Sequence, residues 1–343
     1  MKASLLLIYT GGTIGMKQDP EDRTLKPFDF SGILEEVPEL AKFALKIDAY
    51  TFDPLIDSSD VAPDTWIQIA HVISDRYDDY DGFIVLHGTD TMAYSASALS
   101  FMLGNLAKPV VFTGSQLPIG VPRTDGKENL ISAVEIAASR DGNGRPMVPE
   151  VCIYFNSHLL RGNRATKISS EDFNAFESPN CPCLAEAGIE IRYNRSEIRK
   201  APQQHLPLTI QDKLDTRVSI LKIHPGITPE VVRYFLLSPE TRAVILETYG
   251  SGNAPSQPWF VDIVAEADRM GKVLVNVTQC QAGAVNMRIY ANGKRLEDAG
   301  VVSGYDSTTE SALGKLFVLL GRYHDNARVK ELFQQELCGE ITV

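Results

Sequence analysis

A chain of 343 residues with 44% hydrophobic and 22% charged side chains has the composition of a globular protein and exceeds one ordinary core, so two domains are expected. Its formal net charge of −11 leaves no basic surplus to neutralise phosphates, which argues against a nucleic-acid partner. No stretch approaches the roughly 20 apolar residues that span a bilayer, and no basic-then-apolar leader precedes Leu5. The five cysteines (Cys152, Cys181, Cys183, Cys280, Cys338) lack framework or metal spacing, so a cytoplasmic protein with reduced thiols is expected.

Leu5-Leu6-Leu7-Ile8-Tyr9 is a short apolar run closed by Thr10-Gly11-Gly12-Thr13, which predicts a buried strand ending in a sharp loop. Residues 17–27 are charged, proline-bearing and without period, and predict a loop over Thr13 that serves as a lid. Residues 30–44 are expected as helix interrupted at Pro38, and 45–52 as a strand that empties into the polar loop 53–60. Pro63 opens a helix over 64–76 with Trp66, Ile69, Ala70 and Ile73 on one face. Residues 82–86 form a third strand, ended by His87-Gly88-Thr89-Asp90-Thr91-Met92, with Thr89 or Asp90 capping a helix that runs through Leu103. A fourth strand over 109–113 ends in Gly114-Ser115-Gln116-Leu117-Pro118, and a helix over 128–138 and a strand over 148–155 follow. Such alternation predicts an α/β fold: a larger N-terminal domain with a parallel-rich sheet flanked by helices.

Residues 160–191 read mostly as loop, and 193–211 are polar with Pro202 and Pro207. The domains are therefore placed at 1–192 and 214–343, joined by a linker over 193–213. The second is a smaller α/β unit, with strands over 218–223, 243–246 and 272–277 and helices over 228–237, about 259–270, 310–320 and 326–335.

Three strand ends of the first domain carry hydroxyls and carboxylates: Thr10 and Thr13, then Asp57, Ser58 and Ser59, then Thr89, Asp90 and Thr91. In a parallel sheet these ends share one edge, where ligands bind. A hydroxyl becomes a nucleophile when a neighbouring base takes its proton, and Lys167 is a candidate base if burial lowers its pKa. Taken singly, Asp90 reads as a helix cap, Lys167 as a solvated lysine and His87 as a structural hydrogen-bonder. The functional reading rests on their coincidence. Gly11, Gly12 and Gly15 do not make a dinucleotide fingerprint, Leu117 spoils a nucleophile elbow at Ser115, and no H-E-x-x-H cluster recruits a metal.

Tyr9-Thr10-Gly11-Gly12-Thr13-Ile14-Gly15-Met16 together with Leu86-His87-Gly88-Thr89-Asp90-Thr91-Met92 resembles the paired signature of the bacterial-type L-asparaginases. The likeness extends through Asp57 to Asp60, Arg161 to Lys167, Tyr249 to Pro255 and Thr278 to Cys280, and is strongest to the cytoplasmic type I group. It implies an asparaginase/glutaminase-like fold and hydrolysis of L-asparagine to L-aspartate and ammonia, without metal or organic cofactor. Thr13 would be the nucleophile of an acyl-enzyme, with Thr89, Asp90 and Lys167 as a second catalytic set in which Thr89 and Lys167 handle protons. Asp57, Ser58, Ser59, Thr89 and Asp90 would bind substrate, Asp90 facing its ammonium and Ser58 and Ser59 its carboxylate. The family's homotetramer, a dimer of dimers, would bring Asn253 to a neighbour's site.

Two departures stand out. Residues 21–28 contain no tyrosine where many relatives carry one, Thr24 and Leu25 standing near that place, so either another tyrosine, Tyr9 being the nearest in sequence, or water is left to activate Thr13. A regulatory asparagine site of some type I enzymes maps to Thr166, Glu247, Thr278, Gln279 and Cys280, with Glu247 where an arginine is expected. An acid there repels an effector carboxylate, so weak or absent asparagine activation is expected. Alternatives are the amide-releasing subunit of a tRNA-dependent amidotransferase, a glutaminase or lysophospholipid side activity, and an idle amino-acid sensor. Thr13 and Lys167 together argue against the sensor.

Overall fold

The computed structural model describes residues 3–18, 25–27, 37–202 and 206–342. The chain divides into two compact units, residues 1–210 and 211–343.

The first unit is built on an eight-stranded sheet. Its strands are β1 (Ser4–Tyr9), β2 (Lys46–Thr51), β3 (Gly82–Leu86), β4 (Val110–Thr113), β5 (Val151–Phe155), β6 (His158–Arg161), β7 (Ala185–Ala187) and β8 (Ile191–Tyr193). Their order across the sheet is β8-β7-β6-β5-β4-β3-β1-β2. The first five run parallel and the last three alternate antiparallel. Leu5 to Tyr9 and Gly82 to Leu86 are buried throughout, as parallel strands covered on both faces must be.

Among the described residues its α-helices are α1 (Pro63–Asp75), α2 (Met92–Met102) and α3 (Gly126–Ala138). Pro63 stands at the start of α1, and Trp66, Ile69, Ala70 and Ile73 are buried on its inner face, as the sequence predicts. Leu5, Leu7, Ile84, Leu86 and Val111 pack with Leu130, Val134 and Ala137 of α3 in one core. The expected α/β architecture with a parallel-rich sheet is what the chain adopts.

Four local expectations differ from the structure. Within the lid expected over 17–27, Met16–Gln18 pairs antiparallel with Leu25–Pro27, and 19–24 lie outside the described residues. Of the helix expected over 30–44, residues 30–36 lie outside the described residues, and Pro38–Lys42 forms a short 3-10 helix. The supposed loop over 160–191 carries strands, β7 among them, together with an antiparallel bridge between Thr166–Lys167 and Phe176–Glu177. These strands are two or three residues long, too short to show a period of two. Finally, α2 begins at Met92 with Thr91 as its N-cap, so neither Thr89 nor Asp90 caps it.

The second unit is a four-stranded parallel sheet in the order β9 (Val218–Lys222), β10 (Ala243–Thr248), β11 (Val273–Thr278), β12 (Val302–Ser303). Its helices are α4 (Pro229–Leu237), α5 (Pro258–Arg269), α6 (Ala291–Asp298), α7 (Thr309–Arg322) and α8 (Asn326–Phe333). Alternate residues of β10 and β11 face opposite ways: Val244, Leu246 and Leu274 pack with Val232 and Ile263, whereas Ile245, Val273 and Val275 pack with Leu316 and Phe333. The sequence reading lacked α6 and β12. The first is polar along most of its length, and the second has two residues.

Candidate active site

Register fixes where the site is. Tyr9 lies opposite Thr51 and Leu86, and Leu86 opposite Thr113, so β2, β1, β3 and β4 end level with one another. The loops after them leave one edge side by side. Thr10 ties the first to the third, its N–H and hydroxyl both donating to the Leu86 carbonyl, at 3.0 and 2.9 Å.

The glycines then bring the loops into backbone contact. Gly11 has φ +136° and Gly12 φ +91°, both closed to most side chains. A β-carbon on Gly12 would lie 2.5 Å from the Cα and N of Gly88, and one on Gly11 would lie 2.1 Å from the Ile56 carbonyl oxygen. A β-carbon on Gly88 would meet Ser58 Oγ at 2.5 Å. Thr13 follows Gly12 and Thr89 follows Gly88, so the two threonines stem from touching backbone.

The 53–60 loop closes one side. Asp57 accepts from the Ser59 N–H and hydroxyl, both at 2.9 Å, and the backbone bond in particular holds its carboxyl below the usual range. Ser58 is buried, and its carbonyl accepts from the Thr91 hydroxyl at 2.6 Å. The Thr91 side chain makes no capping bond to α2.

Lys167 reaches the same place from the other side. Its Nζ donates to Thr89 Oγ1 at 2.8 Å and to Asp90 Oδ1 at 2.7 Å. The residues leading to it are anything but a free loop. Arg161 pairs with Glu150 at 2.7 Å, both buried, and Asn163, Arg164 and Ala165 are buried as well. The Lys167 side chain is 19% exposed and that of Asp90 65% exposed, so the ammonium is sheltered while the carboxylate faces outward.

His87 proves to be structural, as read. Its Nδ1 lies 2.7 Å from the Gly88 carbonyl and its Nε2 2.9 Å from Ser95 Oγ, which also accepts from Trp66 Nε1. Burial pushes its pKa down to about 4, so the ring is neutral at neutral pH. Tyr9 is fully buried beneath Gly15, where a β-carbon would lie 2.0 Å from its hydroxyl oxygen. Burial pushes that phenol up to about 12, which disfavours Tyr9 as a proton acceptor for Thr13.

One polar neighbour of the site escaped the sequence reading. Thr89 Oγ1 donates to Gln116 Oε1 at 3.4 Å, and Gln116 Nε2 donates to the Asp172 carbonyl at 3.1 Å. The available signal was position: Gln116 stands just past the end of β4, on the edge the other loops share.

Of the five regulatory-site candidates, Thr166 belongs to the first unit and the other four to the second. Glu247 accepts from the Thr309 hydroxyl at 2.7 Å and lies 3.9 Å from Lys222 Nζ. Gln279 donates to the Ile223 and Glu247 carbonyls, and Thr278 Oγ1 accepts from the Cys280 N–H. Asn253 exchanges backbone hydrogen bonds with Tyr249 in a tight turn. Among the described residues no cluster of His, Cys, Asp and Glu could hold a metal ion, and no helix is long and apolar enough to cross a membrane.

Residues 4–199 match the family described as asparaginase, N-terminal, and residues 217–333 match the glutaminase/asparaginase C-terminal domain. The chain is 44% identical over 350 residues to L-asparaginase 1 of Escherichia coli (strain K12), covering 99% of this chain and 98% of that protein. It is 39% identical over 373 residues to the 60 kDa lysophospholipase of Mus musculus, covering 99% of this chain and 62% of that one. The crystal structure of L-asparaginase I from Vibrio cholerae superposes with a TM-score of 0.91 at 42% identity, over the whole of both chains.

Proposed function

The chain belongs to the asparaginase family, and from that premise we propose that it hydrolyses L-asparagine to L-aspartate and ammonia with Thr13 carrying the acyl group. The observation that carries this reading is the Lys167–Thr89–Asp90 constellation standing beside the Gly11–Gly12–Thr13 turn.

An amide is hard to cleave because its nitrogen is a poor leaving group. Thr13 Oγ attacks the side-chain carbonyl carbon, and backbone N–H groups near Thr89 stabilise the oxyanion that forms. The C–N bond breaks as the nitrogen gains a proton. Thr89 supplies it and is replenished by Lys167, whose ammonium already donates to Thr89 Oγ1. Ammonia leaves, and a β-aspartyl ester remains on Thr13. Water then attacks that ester, its proton returning through Thr89 to Lys167, and the bond to Thr13 breaks as Thr13 Oγ regains the proton it gave up on attack, releasing L-aspartate. In the bound substrate the α-ammonium faces Asp90 and the α-carboxylate faces Ser58 and Ser59, with Asp57 holding Ser59 in place. The base that takes the Thr13 proton is water or a tyrosine other than Tyr9, whose burial disfavours it.

Likeness to type I enzymes supports a cytoplasmic homotetramer, a dimer of dimers in which Asn253 contributes to a neighbouring site. The Glu247 carboxylate, engaged by Thr309 and near Lys222, repels a second asparagine carboxylate, so activation by asparagine is weak or absent.

The test is ammonia release from L-asparagine and, in parallel, L-glutamine, by the native chain and by Thr13→Ala. The native chain turns over asparagine, and the variant keeps its fold and loses nearly all turnover. Release undiminished in Thr13→Ala would refute Thr13 as nucleophile, and release from neither amide would refute the reaction.

A further inference from the structure

Gln116 touches the site without a role in the steps above. Its place is fixed from behind. The Asp125 carboxylate accepts from the Gln116 N–H at 2.9 and 3.1 Å and from the Leu117 N–H at 3.0 Å. Asn129 Nδ2 donates both to the Gly114 carbonyl, at 3.0 Å, and to Asp125, at 3.2 Å. The first turn of α3 thus holds the 114–117 backbone.

The side-chain amide has one sensible orientation. Nε2 meets the Asp172 carbonyl, an acceptor, so it must be the nitrogen that points there. Oε1 is therefore the atom turned to Thr89. Lys167 has only donors, so Thr89 Oγ1 accepts from it, and the threonine hydrogen is left for Gln116 Oε1. At 3.4 Å the contact is long, and it orients the hydroxyl more than it binds it. A hydroxyl oxygen has two lone pairs. With one taken by Lys167 and the hydrogen turned to Gln116, the second lone pair is the group that Thr89 offers to a ligand in the ground state, the hydroxyl turning to deliver its proton only once the amide nitrogen has become basic in the tetrahedral intermediate.

We infer that Gln116 is a positioning residue that presents Thr89 as a hydrogen-bond acceptor, biasing the pocket toward a neutral amide –NH2 and against a carboxylate. The inference rests on the proposed placement of the reacting amide beside Thr89. An amide nitrogen brings a donor to the waiting lone pair. A carboxylate brings only acceptors, and bonds to Thr89 only if that hydroxyl swings away from Gln116. The chemical consequence is discrimination between substrate amide and product acid: asparagine is held, and aspartate meets an unfavourable oxygen–oxygen contact and leaves.

The experiment compares the native chain, Gln116→Leu and Gln116→Glu, measuring kcat and KM for L-asparagine and the dissociation constant of L-aspartate by calorimetry. Gln116→Leu frees the hydroxyl to donate to a carboxylate, so aspartate binds about tenfold more tightly while the KM for asparagine rises or holds. Damage to the pocket shape alone would weaken both ligands. Gln116→Glu keeps an acceptor oxygen toward Thr89, although its other oxygen loses the bond to the Asp172 carbonyl, so aspartate binds no more tightly than to the native chain. Aspartate affinity unchanged or weakened in Gln116→Leu overturns the inference, as does equal tightening in both variants. Thr89→Val separates this from the parent reading. If that variant keeps native turnover, the placement of the amide at Thr89 is wrong; if it loses turnover while Gln116→Leu leaves aspartate binding unmoved, only the role of Gln116 falls.

Discussion

The close approach of Gly12 to Gly88 can be tested with one methyl group. In Gly12→Ala the new β-carbon would lie 2.5 Å from both Cα and N of Gly88 and 3.1 Å from the His87 carbonyl carbon. All three are backbone atoms, so no side chain can rotate aside. Ordinary contact begins near 3.4 Å, which means that the two loops must separate by close to 1 Å. The conformation adds strain, because φ +91° with ψ 172° belongs to a region that is essentially glycine's alone and costs other residues of order 1–3 kcal/mol. Thr13 and Thr89 are the next residues along each loop, so the separation is delivered to the nucleophile and its proton-handling partner. Misplacement of that size costs roughly 100-fold in rate. The assay is kcat/KM for ammonia release from L-asparagine, with thermal unfolding alongside. Gly142→Ala is the control, because nothing lies within 4 Å of its β-carbon, and it should behave as native. Activity of Gly12→Ala within threefold of native would refute the claim that this contact sets the spacing of the site.

Other outcomes follow from the same structure. His87 is held at a pKa of about 4 against 6.5 when unfolded, so the unfolded chain binds the extra proton first as pH falls. The stability that a neutral His87 contributes is whole above pH 6.5 and is lost toward pH 4, by about 3 kcal/mol, and His87→Gln should flatten that part of the pH dependence of unfolding. An unchanged slope would count against it. Lys315 and Glu340 form a fully buried pair in the second unit, with Lys315 also donating to the Phe333 and Gln335 carbonyls. Lys315→Met removes the cation from the buried Glu340 carboxylate, which still accepts from the Leu337 and Cys338 N–H groups, at a cost of roughly 3–5 kcal/mol, readable as a fall in Tm of about 5 °C or more. Initial rates against asparagine concentration should be hyperbolic, and a clearly sigmoidal curve would show that Glu247 does not prevent activation.

Most of the architecture could be read from the residues. Continuous apolar runs such as Leu5 to Tyr9 and Gly82 to Leu86 demand strands buried on both faces, and glycine with hydroxyl residues at their ends marks the edge where a site forms. That reasoning alone pointed to Thr13, Ser58, Thr89 and Asp90 as neighbours, because parallel strands of matched length end together. Only the folded chain decided how the neighbours engage. Asp90 and Thr89 carry good capping side chains, and local propensity favours that use. Lys167, 77 residues further along the chain than Asp90, claims both instead. The carrier of Lys167 looked like loop because its strands are two or three residues long and its order comes from the distant Arg161–Glu150 pair. Gln116 was invisible for the same reason, since an amide gains a role only from the two groups its ends reach, Thr89 and Asp172. Periodicity and turn chemistry are local and so are written along the chain. Which donor meets which acceptor is set by tertiary packing that brings them within 3 Å or so.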